Sequence, residues 1–402
     1  MQFLKIYQKK LIKFIKKKLE GLKSLINFNR LMPESRKIVF YAEDIQSQNF
    51  LIDLLKELLV KFNQEICYLT SDINDSIFSE MERHPNLKVF YIGSGFIRTW
   101  LFINLKADLL ITTMPDLEIF HLKRSKIYPV HYLYIFHALV STHSNYRKGA
   151  FDSFNTIFCT GKQQISEIRK TEKYYDLPKK NIFKDGYRPL EYLINESKLY
   201  SKKSSDKLKI LIAPTWGENN IFEHCINELL ENLLNADNEI FLRPHPMTLR
   251  NNSDEIKKLK NRFSNYTNFN LQEDQKDRSI LFESDVLITD WSGIGIEYGL
   301  GLLKPVIYID LPKKNFNPDY KKINITPIEF KIRSEIGKIL NSNNLESINE
   351  IILNYLSDYN KGDILNIRDK YVFMKENGLN KAAKKIIKIA DSNRSRNVRN
   401  SE

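Results

Sequence analysis

The sequence predicts an α/β protein built of two doubly wound domains that face a cleft, preceded by a basic amphipathic helix. Three observations predict it. Short apolar runs alternate with helical stretches, the alternation restarts after a polar, lysine-rich segment near residue 200, and 402 residues is long for a single domain. A hydrophobic fraction of 42% supplies material for two cores.

Residues 1–35 read as the helix. Leu4, Tyr7, Leu11, Ile15, Leu19, Leu22 and Ile26 recur at three- and four-residue spacing and make one stripe. Lys5, Lys9, Lys13, Lys16, Lys17 and Lys23 occupy mostly the flanks and the far side. Residues 1–36 hold eight Lys and two Arg against Glu20 and Glu34, so a surplus of eight in the chain's net +13 falls in its first tenth. Such a helix lies in the interface of an anionic membrane; the other reading packs its stripe on the protein. So local a surplus points to an anionic partner for the N-terminus and away from nucleic acid. No apolar run is long enough to span a bilayer, and no signal-peptide cleavage pattern is present. The expectation is a peripheral protein on the cytoplasmic face of the cell membrane.

From Arg36 the pattern is strand and helix in turn, giving an expected first domain over 36–195. Lys37–Tyr41, Glu65–Leu69, Lys88–Ile92, Ala107–Thr112, His131–Phe136 and Thr156–Cys159 read as strands. Ile45–Phe62 and Gln163–Lys173 read as helices. No Gly-x-Gly-x-x-Gly follows the first strand, so the dinucleotide fingerprint is missing. Asn195–Lys207 is the expected linker. A second domain over 205–330 starts with strand Lys209–Ala213, helix Ile221–Leu234 and strand Ile240–Arg243. It continues through Val286–Thr289, a turn, a helix to about Gly299–Leu303, and strand Pro305–Ile309. Residues 331–390 read as helices that return toward the first domain, and 391–402 as a disordered polar tail. Cys67, Cys159 and Cys225 lie apart, in neither metal-ligand nor disulfide spacing.

Ligands bind at strand ends in open α/β sheets, and three loops of the second half qualify. They are Ala213-Pro214-Thr215-Trp216-Gly217, Leu242-Arg243-Pro244-His245-Pro246 and Thr289-Asp290-Trp291-Ser292-Gly293. Ser292 stands where it can cap the next helix, whose free N–H groups and dipole favour a phosphate. His245, held between prolines beside Arg243, suits a phosphate grip. In the first half, His137 ends a strand and is the candidate general base.

Together these residues resemble the CDP-glycerol glycerophosphotransferase family, the teichoic-acid primases and polymerases and their capsule-synthesis relatives. The resemblance rests on Ala213–Trp216, Arg243-Pro244-His245-Pro246, Thr289–Gly293 and Lys304-Pro305-Val306-Ile307, in the family's order over about 100 residues. The chain departs where the family has Trp-His-Gly and it has Phe136-His137-Ala138, and where Ser-Asp-Tyr-Ser-Ser has become Thr289-Asp290-Trp291-Ser292-Gly293. The resemblance implies a GT-B layout of two Rossmann-like domains, with transfer of a polyol phosphate from a CDP-linked donor to a glycan or lipid-linked acceptor. His137 would then be the base, and Arg243 and His245 would hold the pyrophosphate. Thr215, Asp290, Ser292 and Gly293 would complete the cradle, and Glu297 would accept from the ribose. No Asp-x-Asp motif is present, so no metal or other cofactor is expected. A sugar-transferring GT-B enzyme, a UDP-sugar 2-epimerase and a non-catalytic membrane-docked scaffold are the other readings.

Overall fold

The computed structural model describes residues 2–201, 206–314, 317–374 and 376–399, with side chains from residue 15 onward. Seven strands make the first sheet: β1 (Ile38–Ala42), β2 (Ile66–Thr70), β3 (Leu87–Tyr91), β4 (Leu109–Thr112), β5 (His131–Ile135), β6 (Thr156–Cys159) and β7 (Asn181–Lys184). Their order is β3-β2-β1-β4-β5-β6-β7, parallel throughout. The second sheet holds β8 (Leu208–Ile212), β9 (Asn238–Leu242), β10 (Phe269–Leu271), β11 (Val286–Thr289), β12 (Val306–Asp310) and β13 (Gly337–Asn341). It runs β10-β9-β8-β11-β12-β13, again all parallel.

Interior strands such as β1, β2, β4, β6 and β11 are buried at every position, which is why they read as unbroken apolar runs. Three strands have no such run and were not expected: β7, β10 and β13. All three lie at sheet edges, where one side meets solvent and polar residues fit. β13 also corrects the purely helical reading of residues 331–390.

Other expectations shift in instructive ways. The helix expected over Ile45–Phe62 is two, Ile45–Asn49 and Ile52–Val60, and that over Ile221–Leu234 is Ile221–His224 and Ile226–Leu234. The start of the expected linker is helix: Arg188–Leu199 presses Leu190 and Leu193 onto Gly301 in the helix Gly293–Leu302. A methyl group at Gly301 would stand 2.8 Å from Leu193 Cδ2. Nor is residue range 391–399 a disordered tail, because the helix Gly378–Arg399 runs through it. Asn393 Nδ2 donates there to the carbonyls of Asp108 at 2.8 Å and Pro129 at 2.9 Å, and Asn397 Nδ2 to Asp108 Oδ1 at 3.0 Å. Residues 400–402 lie outside the described ones. Ala382, Ala383, Ile386 and Ala390 of this helix join the core of the first sheet.

The chain passes between domains at Gly186 and again at Tyr371–Phe373, and the two passages touch. Gly186 takes φ +111°, open to glycine, and a methyl there would lie 2.6 Å from the Phe373 carbonyl. Phe373 N–H in turn donates to the Thr160 carbonyl at 2.8 Å.

The helix Gln2–Arg30 docks through its later turns. Leu25 and Phe28 are buried, Phe28 meets Phe90 edge-on at 5.4 Å, and Gly21 backs onto the Ile92 main chain. Ile15, Leu19, Leu22 and Ile26 remain exposed. The stripe read from sequence is therefore not the docking face over the described side chains; Leu4, Tyr7 and Leu11 lie outside them. Among the described residues no helix is long and apolar enough to cross a membrane.

Candidate functional site

The second sheet reverses its strand order between β8 and β11, and a cavity of about 470 Å³ opens beyond their carboxyl ends. Three loops build its walls: Thr215–Asn219 after β8, Asp290–Gly293 after β11, and Lys313 with Lys314 after β12. Glu329 and Arg333 close one side, and Val140 and Asn145 reach in from the first domain.

Of the residues singled out from sequence, Thr215, Asp290, Ser292 and Gly293 meet in this cavity. Ser292 is the N-cap residue of the helix Gly293–Leu302, yet its side chain makes no capping bond. The hydroxyl stands in the cavity beside the N–H groups of the helix's first turn. Asp290 has another task. Its Oδ1 accepts the Thr215 N–H at 2.8 Å and its Oδ2 the Ile221 N–H at 3.0 Å, so this fully buried carboxylate ties the β8 loop to β11. Burial raises its pKa despite those bonds. Both of its oxygens thus serve the loop backbone, which shapes the cavity wall.

His245 adjoins the cavity through Trp216, on which it stacks with ring centroids 5.9 Å apart and planes 29° apart. Its Nδ1 accepts the Met247 N–H at 3.1 Å, which places the ring proton on Nε2. Burial, helped by Lys314, pulls its pKa down to about 4, so near neutrality the ring is an uncharged donor. Arg243 does not point into the cavity. Its Nη2 donates to the Gln275 carbonyl at 2.8 Å and its Nη1 to that of Asp277, which pins the loop after β10. Glu297 also lies outside the lining, because its Oε1 accepts Tyr187 Oη at 2.6 Å, and the same hydroxyl lies 3.1 Å from the His137 carbonyl.

His137 stands at the end of β5, three residues before Val140. Its Nδ1 lies 3.0 Å from the Thr113 carbonyl. A carbonyl only accepts, so the proton sits on Nδ1 and Nε2 keeps a basic lone pair. Burial lowers the pKa of the ring and keeps it neutral. Its side chain is not part of the cavity lining.

Sequence reading missed the cavity's cations. Lys314 Nζ donates to the Trp216 carbonyl at 2.7 Å, and Lys313 Nζ lies 4.4 Å from the Phe330 ring centroid. Arg333 packs its guanidinium 3.7 Å from the Trp291 ring centroid, and its Nη1 reaches Asp310 Oδ1 at 3.3 Å. The two lysines carried a signal, since Leu311-Pro312-Lys313-Lys314 follows a predicted buried strand as the other three loops do. Arg333 carried none, being a charged residue in a stretch read as plain helix. Among the described residues no three His, Cys, Asp or Glu side chains converge as a metal-ligand group.

Comparison with known proteins agrees with this layout. The model of the CDP-glycerol:poly(glycerophosphate) glycerophosphotransferase family matches residues 153–351. A search of curated proteins gives no match. Among solved structures, the wall teichoic acid polymerase TagF superposes with a TM-score of 0.57 at 14% identity, covering 97% of this chain and 98% of that one. A UDP-GlcNAc 2-epimerase from Methanocaldococcus jannaschii gives 0.55 at 16% identity, over 82% of this chain and 98% of that one. A glycosyltransferase from Rickettsia africae ESF-5 gives 0.51 at 13%, over 89% and 98%. At such identities the likeness is one of fold, the GT-B arrangement. The family match is more specific, for it runs from the end of the first domain through all six strands of the second sheet and the loops that wall the cavity. Residues 153–351 thus match the CDP-glycerol:poly(glycerophosphate) glycerophosphotransferase family, and the chain is an enzyme of that transferase type.

Proposed function

We propose that this enzyme moves glycerol phosphate, or a related polyol phosphate, from a CDP-linked donor to a hydroxyl of a glycan or lipid-linked acceptor in cell-surface polymer synthesis. The observation that carries this reading is the anion cradle of the second domain. An uncapped Ser292 and the start of the helix Gly293–Leu302 line one cavity with Lys313 and Lys314. Helix N–H groups and lysines are suited to a pyrophosphate, and cationic neighbours steady the charge that gathers on departing CMP. His245 would add an Nε2–H donor. The acceptor oxygen attacks the polyol-bearing phosphorus as the bond to the CMP oxygen breaks, and His137 Nε2 takes the acceptor proton. Exposed Ile15, Leu19, Leu22 and Ile26, with lysines around them, support docking of the N-terminal helix on an anionic membrane at its cytoplasmic face.

The test is CMP or UDP release from a panel of CDP- and UDP-linked donors with the purified protein. CMP release from CDP-glycerol or CDP-ribitol is the expected result. Release of UDP alone would move the chain to the sugar transferases or epimerases, and release of neither, with donor still bound, would leave a scaffold.

A further inference from the structure

A second concave surface lies at the opposite end of the first domain from the cleft. Its volume is about 520 Å³, and it opens beside the amino-terminal ends of β5, β6 and β7, at His131, Asn155 and Asn181. Arg124, Lys179, Lys180, Lys385, Lys388 and Arg396 line it against one carboxylate, Asp152. Lys180 is drawn toward Glu172 at 3.9 Å, and Arg124 donates to Asn155. Lys179, Lys385, Lys388 and Arg396 have no ion-pair or hydrogen-bond partner among the described residues. Three of these four stand on the helix Gly378–Arg399 at i, i+3 and i+11, with Ser392 between them at i+7, which is a single helix face. From Lys385 to Arg396 the helix rises roughly 16 Å, about 1.5 Å per residue.

Unpaired cations gathered in a hollow repel one another, and that cost is offset when an anion enters. We propose that this groove is an exosite for a linear phosphodiester polyanion, the acceptor or product chain, held away from the cavity where transfer occurs. The polyanion's identity rests on the transferase reading; the anion site does not. A row of cations along roughly 16 Å fits a chain of spaced phosphates better than one compact anion. A membrane is the poorer fit. The N-terminal helix runs along β3, where Gly21 backs Ile92 and Phe28 meets Phe90, and β3 and β7 are opposite edges of the sheet.

The experiment measures binding of fluorescently labelled inorganic polyphosphate to the full chain, across a salt series, for wild type, Lys385→Gln/Lys388→Gln/Arg396→Gln and Lys179→Gln. The triple variant should bind at least tenfold more weakly near 0.1 M salt. Its plot of log affinity against log salt should be shallower by about 2 to 3 units, for three lost phosphate contacts. Lys179→Gln, on another element, should give a smaller loss in the same direction. Unchanged affinity and slope in both variants would overturn the site. Unchanged polyphosphate binding with lost sedimentation on phosphatidylglycerol–phosphatidylcholine vesicles would make it a lipid site and overturn the polymer assignment. The binding measurement needs no donor, so failure to release CMP would remove the transferase reading and leave this result standing.

Discussion

At the scale of single residues, the two candidate histidines differ in which nitrogen is left to work. His137 offers a lone pair on Nε2 because Nδ1 faces a carbonyl, whereas His245 offers a proton on Nε2 because Nδ1 accepts Met247 N–H. A base acts mainly in the transition state, so His137→Ala should lower kcat by about 10²–10⁴ with donor affinity unchanged. A donor bonded to phosphate acts in both states, so His245→Ala should weaken donor binding in calorimetry and also slow CMP release. Equal loss of donor affinity in the two variants would refute this division. His131 supports a stability prediction of its own. It bonds Thr156 Oγ1 at 2.8 Å, and burial together with Arg124, Arg396 and Lys385 holds its pKa down to about 4. The unfolded chain therefore binds a proton that the folded one refuses between pH 6.5 and 4. This contribution is present above that window and is lost as pH falls through it, about 2 kcal/mol between pH 7 and 5. The drop in melting temperature over that range should shrink in His131→Gln.

At the scale of elements, the N-terminal helix presents two faces, and the free one carries the proposed membrane contact. Its later turns cover the β3 edge with Leu25 and Phe28, while Ile15, Leu19, Leu22 and Ile26 stay free. Removing residues 1–18 should release the protein from anionic vesicles and leave its melting temperature unchanged. Removing residues 1–32 should also destabilise the first domain, because uncovering a buried Phe and Leu costs on the order of 5 kcal/mol. Sedimentation and melting of both truncations separate the two roles. An undiminished vesicle-bound fraction for the shorter truncation would end the membrane assignment.

At the scale of the whole molecule, the domains are joined by more than the two chain passages. The loop after β5 is gripped from the second domain: Ile328 N–H donates to Ser141 Oγ at 2.7 Å, Ser141 N–H to Glu329 Oε2 at 3.1 Å, and Asn145 Nδ2 to Glu329 Oε1. Glu329 is buried, so Glu329→Ala strands the Ser141 N–H and Asn145 Nδ2 donors and should widen interdomain motion. Because Asn145 and Glu329 line the cavity, KM and kcat should worsen together, and small-angle scattering should show a broader distribution of dimensions. A change in neither would show that the contact is passive. Gly161 tests the passages themselves. A methyl group there would stand 1.8 Å from the Tyr371 carbonyl oxygen, so Gly161→Ala should lower stability by roughly 1–3 kcal/mol or more. A melting curve matching wild type would contradict the packing described.

The sequence by itself determined the buried strands, because a strand covered on both faces must be apolar throughout, as Val286–Thr289 and Ile38–Ala42 are. It also marked the loops at strand ends, since a doubly wound sheet presents ligands there, and Thr215, Ser292 and Gly293 do line one cavity. The edge strands β7, β10 and β13 were hidden because half-solvated strands carry no apolar run. Only the tertiary structure decided which polar groups serve the fold and which are left for a ligand. Asp290, Arg243 and Glu297 read as ligands for phosphate or ribose, yet backbone N–H groups, backbone carbonyls and Tyr187 take them first. Arg333, unremarkable in sequence, comes 43 residues after Asp290 and reaches the cavity because the chain folds back past β12. A hydrogen bond goes to the partner that packing places within reach, and sequence spacing does not record which partner that is.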